Sequence, residues 1–284
     1  NYNFIQKKFN DLILRIKFIN KSFYEIEKII FLKNKDIKNQ AHVFITGLPR
    51  SGTTSILNFL YSFNEYASLT YKSMPFVLSP NISKIFNKKN VYQKERLHND
   101  GISYDIESPE ALDEIFFNYD KNFINNEFCN YLNLILISQN KFKYLSKNNN
   151  NFKRIDFIKS VLPNSIFLIP IRNPLQQAQS LLNQHLNFSR LQKKDNFIKR
   201  YMDYLGHYEF GLGHKSWNDP INFRNYDNIN YWLEQWSIFY EKIFYKYQSY
   251  ENCHFIIYEE LQNSDYVKKL FNKIKIINFK NSNL

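Results

Sequence analysis

The residues best suited to chemistry are Gly47-Leu-Pro-Arg-Ser-Gly-Thr-Thr54, two glycines enclosing an arginine and followed by hydroxyls. Val43, Phe44 and Ile45 before them read as a buried strand, and Ile56, Leu57, Phe59 and Leu60 after them recur at helical spacing. Strand, glycine turn and helix together make an oxyanion cradle. Backbone N–H groups of the turn converge on the anion, and the helix N-terminus adds partial positive charge. A triphosphate loop places Lys directly after its second glycine. Here Thr53 holds that position, and the cation comes earlier, at Arg50. A Mg²⁺–ATP enzyme also wants an Asp at the end of a neighbouring strand. The apolar run 165–171 ends instead in Arg172, which suits a bare phosphate and not a metal. A P-loop kinase of a small metabolite, using ATP, is therefore the second reading.

Such a loop needs a sheet to hold it. Apolar strands are expected at 142–146, 165–171 and 255–258, alternating with helices at 124–138, 152–161, 175–185 and 229–250. That alternation predicts an α/β fold, a single doubly wound parallel β-sheet flanked by helices on both faces. Residues 66–80 read as a loop with a short helix, and Ser108-Pro109 as a helix start. Residues 206–228 read as an irregular loop carrying His207, Glu209 and His214. Ahead of the core stands an N-terminal helical preamble over 1–34. Ile5, Phe9, Leu12, Ile16, Ile19, Phe23, Ile26 and Ile30 form one apolar stripe. A capping box of Ser22 and Glu25 predicts a break near Asn20. The stripe is expected to pack on the core; the alternative is a membrane-surface or dimer contact. One domain is expected over 1–284: N-terminal helices at 1–40, the core at 41–262 and a C-terminal segment at 263–284.

At this point the residues carry a resemblance. Gly47–Thr54 resembles the 5′-phosphosulfate loop of sulfotransferases that use 3′-phosphoadenylyl sulfate (PAPS). Ile171-Arg172-Asn173-Pro174, followed by Ser180, resembles that family's 3′-phosphate element, and Phe255-Ile-Ile-Tyr258-Glu259 its strand ending in Tyr-Glu. The three stand in the family's order. The resemblance implies a sulfotransferase fold and in-line transfer of a sulfuryl group from PAPS to a hydroxyl, leaving adenosine 3′,5′-bisphosphate, with no metal. It implies that Arg50 pairs with the leaving 5′-phosphate, aided by Ser51, Gly52, Thr53, Thr54 and Ser55. Arg172 and Ser180 hold the 3′-phosphate, and Tyr258 lies near the nucleotide. Lys147 matches the lysine that neutralises the bridging oxygen. The histidine base that some members carry two residues later is Asn149 here. The glutamate of other branches meets only Thr70, Tyr71 and Lys72. His98 is therefore the candidate base, since an imidazole suits deprotonation of a hydroxyl near neutral pH. Asp100, Glu110 and His185 stand in reserve. His207, Glu209 and His214 read as acceptor contacts and not as zinc ligands. Related enzymes close over the donor with a glycine-containing basic loop, and no glycine follows Tyr258. The N-terminal helices or residues beyond Leu284 would have to supply that closure.

Composition narrows the partners. The formal charge of +12 comes from scattered lysines, with no basic block interleaved with aromatics, so no nucleic acid is expected. The charge favours an anionic donor, an acidic glycan or peripheral contact with a membrane face. No uncharged apolar run is long enough for a transmembrane segment. Cys129 and Cys253, the only cysteines, form neither a disulfide framework nor a metal cluster, which fits a cytoplasmic protein. The abundance of Asn, Lys, Ile, Phe and Tyr suggests A/T-rich coding. The expected acceptor is a carbohydrate of a bacterial surface glycan.

Overall fold

Strand β1 (Val43–Ile45) is the middle of a five-stranded sheet in the computed structural model, which describes residues 12–86, 94–95, 103–218 and 224–273. The other members are β2 (Tyr66–Ala67), β5 (Lys143–Lys147), β6 (Ile166–Ile171) and β7 (Cys253–Ile257). Their order is β2-β5-β1-β6-β7, and every pair is parallel. Val43 lies opposite Leu145 on one side and Ile166 on the other. The winding therefore reverses at β1, which opens a crevice beyond the carboxyl ends of its neighbours, the usual ligand position in this architecture. A two-residue pair, β3 (Lys94–Glu95) with β4 (Ser103–Tyr104), runs antiparallel outside this sheet.

All three residues of β1 are buried, as a parallel sheet covered on both faces requires. On one face Phe44 stacks on Phe167 at 5.7 Å and meets Tyr144 edge-on at 6.0 Å. This side faces helices α5 (Lys121–Gln139), α6 (Ile155–Val161), α7 (Pro174–Lys194) and α9 (Ile229–Tyr247). On the other face Val43, Ile45, Leu145 and Leu168 meet Ile56, Leu57 and Leu60 of α2 (Thr53–Ser62) and Phe271 of α10 (Ser264–Lys273). Short polar side chains start the helices. The Asp120, Asn173 and Asn228 side chains accept from Phe123, Gln176 and Asn230 N–H, and Pro174 opens α7.

The expected sheet and its long helices are present, and several local expectations are corrected. The N-terminal segment breaks at Ile16, not near Asn20: α1 (Lys17–Phe31) runs straight through, and Ser22 Oγ donates to the Phe18 carbonyl inside the helix. Its buried face is also different. Asn20, Tyr24 and Glu27 are buried, whereas Ile26 and Ile30 of the predicted stripe face solvent. Hydrogen bonding decides this. Tyr24 Oη donates to Glu127 Oε2 at 2.8 Å, and Lys28 pairs with the same carboxylate at 2.9 Å. Glu27 accepts from the backbone N–H of Asn81 and Ile82, at 2.7 and 2.9 Å, and so caps α3 (Pro80–Phe86). Pro109 does not open a helix. It bridges Thr70 as a strand-like contact, and α4 (Glu114–Phe117) begins five residues later. α7 extends nine residues past the expected end, to Lys194, because Phe188 and Gln192 continue its buried face; α8 (Asn196–Leu205) follows it.

Candidate active site

The loop between β1 and α2 is shaped by two left-handed residues, Arg50 at φ 66° and Gly52 at φ 92°. Gly52 also precedes α2 and offers no side chain to that helix's first N–H groups. The ring of Tyr258, at the end of β7, lies directly over Gly52. A Cβ there would fall 2.5 Å from Cε2 of the ring, so only glycine fits. The guanidinium of Arg172, at the end of β6, sits 4.9 Å from the same ring's centroid, a cation–π contact.

Arg172 and Arg50 meet. Arg172 Nη1 donates to the backbone carbonyl of Arg50 at 3.2 Å, while Arg172 Nε is buried with no hydrogen-bond partner among the described residues. Arg50 Nε donates to Ser180 Oγ at 3.0 Å, so Ser180 is held by the loop arginine and keeps its own hydroxyl hydrogen to donate. Glu259 accepts from Asn173 N–H at 2.8 Å and joins the ends of β6 and β7 beneath. Arg50, Gly52, Arg172, Ser180 and Tyr258 thus form one cluster at the carboxyl edge of the sheet.

A layer behind the loop fixes its shape. Gln177 is fully buried, donates to the Pro49 carbonyl at 2.9 Å and accepts from Trp236 Nε1 at 3.0 Å. Ser51 Oγ donates to the Leu48 carbonyl at 2.8 Å, so its hydroxyl hydrogen is used inside the loop. Thr53 and Thr54 border a cleft, and Ser55 lies exposed on the next turn.

That cleft joins Arg50, Thr53 and Thr54 to Lys147, at the end of β5. Glu110, His207 and Glu209 line it as well. Glu110 accepts from Tyr71 Oη and, at 2.8 Å, from Ala111 N–H. His207 Nε2 lies 3.1 Å from the Ala111 carbonyl. A carbonyl can only accept, so Nε2 carries the proton and Nδ1 holds the lone pair. Thr46 ties the loop after β5 to β1, donating to the Asn149 carbonyl at 3.3 Å and accepting from Phe152 N–H at 2.9 Å. Below Lys147, Ser146 and Tyr144 both donate to the buried carboxylate of Asp113, whose pKa burial raises to about 6.

The predicted bases separate. His98 and Asp100 lie outside the described residues, and Glu110 lines the cleft. His185 belongs instead to an aromatic cluster with His214, Tyr226 and Trp232. Burial lowers the pKa of His185, and burial with the neighbouring His185 lowers that of His214 to about 4. Within the 206–228 loop, His207 and Glu209 face the cleft, whereas His214 hydrogen-bonds Tyr231 Oη at 2.6 Å. Sequence reasoning read His207 as an acceptor contact and not as a base candidate, and it missed Gln177 and Gln184. Counting −3 and +4 from Ser180 along one helix face would have found both glutamines. Among the described residues no group of His, Cys, Asp and Glu is placed to hold a metal ion. The arrangement offers guanidinium, backbone and hydroxyl donors suited to an oxyanion, with Lys147 and His207 on the adjoining cleft.

Comparison with known proteins bears on the family and the fold. The family model described as the sulfotransferase family matches residues 42–214, more than half of the chain. Sulfotransferase STF1 from Mycobacterium tuberculosis H37Rv shares the fold at a TM-score of 0.52 and 12% identity, over 95% of this chain and 77% of that one. Sulfotransferase STF9 from Mycobacterium avium matches at a TM-score of 0.46 and 13% identity, over 90% and 68% of the two chains. No curated protein sequence matches the chain. The loop, the strand-end arginine and the parallel sheet therefore have a common explanation: this chain belongs to the sulfotransferase family.

Proposed function

We propose that the protein transfers the sulfuryl group of PAPS to a hydroxyl of a carbohydrate acceptor, a bacterial surface glycan, in the cytoplasm where such a donor is made. The observation that carries this reading is the meeting of two arginines on one loop, with Arg172 Nε buried and unpaired beside it. A planar guanidinium suits a phosphate oxygen pair. In this reading Arg50, the loop N–H groups and the α2 N-terminus hold the 5′-phosphate end, with the Thr53 and Thr54 hydroxyls beside them. Ser51 contributes its backbone N–H, because its hydroxyl is committed to Leu48. Arg172 and the Ser180 hydroxyl take the 3′-phosphate, and Tyr258 lies against the nucleotide. Lys147 faces the same cleft as Arg50 and neutralises charge on the oxygen that leaves sulfur. His207 Nδ1 takes the acceptor's proton as the new oxygen–sulfur bond forms and the phosphate oxygen–sulfur bond breaks. Glu110 is the other candidate, and its carboxylate is already engaged by Tyr71 Oη and Ala111 N–H.

Thr53 in place of a P-loop lysine and Arg172 in place of a metal-binding aspartate disfavour the ATP-dependent kinase reading. Calorimetric titration with adenosine 3′,5′-bisphosphate, against ATP plus Mg²⁺, tests the choice. The bisphosphate should bind without metal, and Arg172→Ala should weaken it by about 2–4 kcal/mol with the fold retained. Mg²⁺-dependent ATP binding with an indifferent Arg172→Ala variant would overturn the reading.

A further inference from the structure

Two buried amide atoms of the cleft have no hydrogen-bond partner among the described residues: Nε2 of Gln184 and Oδ1 of Asn149. Gln184 is 5% exposed and Asn149 is 7%. The orientation of Asn149 is determined. Its Nδ2 donates to Glu209 Oε1 at 3.3 Å, and only the NH₂ end of an amide can donate to a carboxylate. The carbonyl end is therefore the one left over. Gln184 stands one helical turn beyond Ser180 on α7, and Ser180 accepts from Arg50 Nε. Lys147 and His207 border the same cleft. Buried polar atoms are nearly always paired, so orphans on residues that line a cleft point to partners supplied by what enters it.

The partner of Asn149 Oδ1 is not a phosphate of the donor, because an amide carbonyl repels an anion; it must come from a group that donates. A hydroxyl both donates and accepts, so it satisfies Asn149 Oδ1 and Gln184 Nε2 alike. We propose that Asn149 and Gln184 read hydroxyls of the acceptor beside the one that reacts. The enzyme is then selective for a polyhydroxylated acceptor of the sugar-ring kind over a phenol or a monohydric alcohol. This rests on the sulfuryl-transfer reading above and adds the residues that select the acceptor. A site built to hydrogen-bond a substrate hydroxyl rejects an analogue without it, because the buried amides stay unpaired.

The test uses the whole chain with PAPS and a panel of methyl hexopyranosides, their monodeoxy analogues, cyclohexanol and phenol, sulfation being read by mass spectrometry. Binding of adenosine 3′,5′-bisphosphate is measured in parallel. At least one glycoside should be sulfated. Removing one hydroxyl next to its reacting position should lower kcat/KM by on the order of 10²-fold, the cost of a buried polar group left unpaired, with cyclohexanol and phenol lower still. Asn149→Leu and Gln184→Met should lower kcat/KM for the glycoside by a similar factor, add little to the loss for that deoxy analogue, and leave bisphosphate affinity unchanged. Phenol or cyclohexanol sulfated as efficiently as the glycosides would overturn the inference while leaving the donor reading in place. So would variants that slow every acceptor equally, or bisphosphate binding with no glycoside sulfated. Absence of bisphosphate binding would instead remove the donor reading and the inference with it.

Discussion

Gly52→Ala isolates the contact between the β1–α2 loop and the ring of Tyr258. At φ 92° an alanine sits in the left-handed region, which costs roughly 1–2 kcal/mol. Its Cβ would also fall 2.5 Å from Cε2 of Tyr258 and nearer still to Cδ2. Carbon atoms settle at about 3.5–4.0 Å, so the ring must retreat by more than about 1 Å. The retreat disturbs the ring's contact with Arg172. Overpacking of this kind adds roughly 1–3 kcal/mol. The two contributions together predict a loss of about 2–5 kcal/mol, read by chemical denaturation, with bisphosphate affinity falling as the ring leaves Arg172. The same substitution in a Tyr258→Ala background should cost only the backbone part, roughly 1–2 kcal/mol. The coupling between the two positions is then about 1–3 kcal/mol. An identical penalty in both backgrounds would show that Tyr258 does not rest on Gly52, and the geometry of the loop as described would be wrong.

Acid should weaken the fold through His42. Its Nε2 donates to the Ile37 carbonyl at 2.7 Å, and its Nδ1 accepts from Tyr144 N–H at 2.9 Å, so the ring is neutral, and burial lowers its pKa from 6.5 to about 4. Between those values the unfolded chain binds a proton that the folded one refuses. Stability present above pH 6.5 is thus lost as pH falls toward 4, by on the order of 3 kcal/mol. Asp113 works the other way, since its carboxyl is raised to about 6 and the folded form takes up a proton first. The His42 contribution is therefore read as the difference between wild type and His42→Gln across that range; parallel pH curves would refute it. Glu27→Ala should cost about 2–4 kcal/mol, because it strips the charged acceptor from two backbone N–H groups and from Asn81 Nδ2. Bisphosphate affinity should be unchanged in that variant, and a loss below about 1 kcal/mol would contradict the cap.

The centre of the molecule was legible because its signals are local. A three-residue apolar strand, a glycine turn and helical spacing follow one another within 42–60, and Arg172 announces itself at the end of an apolar run. The periphery was not, because hydrogen bonds between distant residues decide it. Nothing near Glu27 shows that it will cap a helix 55 residues away, so apolar spacing assigned α1 the wrong face. Pro109 looks like a helix start until Thr70 is seen opposite it. In the site, Arg172 and Ser180 were recognisable by type and order. That Ser180 would sit on Arg50, and Arg172 on the Arg50 carbonyl, depends on how β1 and β6 align. His207 was the least visible, since only Ala111, 96 residues earlier, settles its tautomer.

The bond from Arg172 to the Arg50 peptide has a further bearing on selectivity. In the proposed reading the two ends of the nucleotide are not gripped independently, because one guanidinium steadies the backbone that carries the other. A truncated donor lacking its 3′ group forfeits the direct contact and also meets a looser 5′ grip. Rejection of such half-donors therefore exceeds the worth of the single missing interaction.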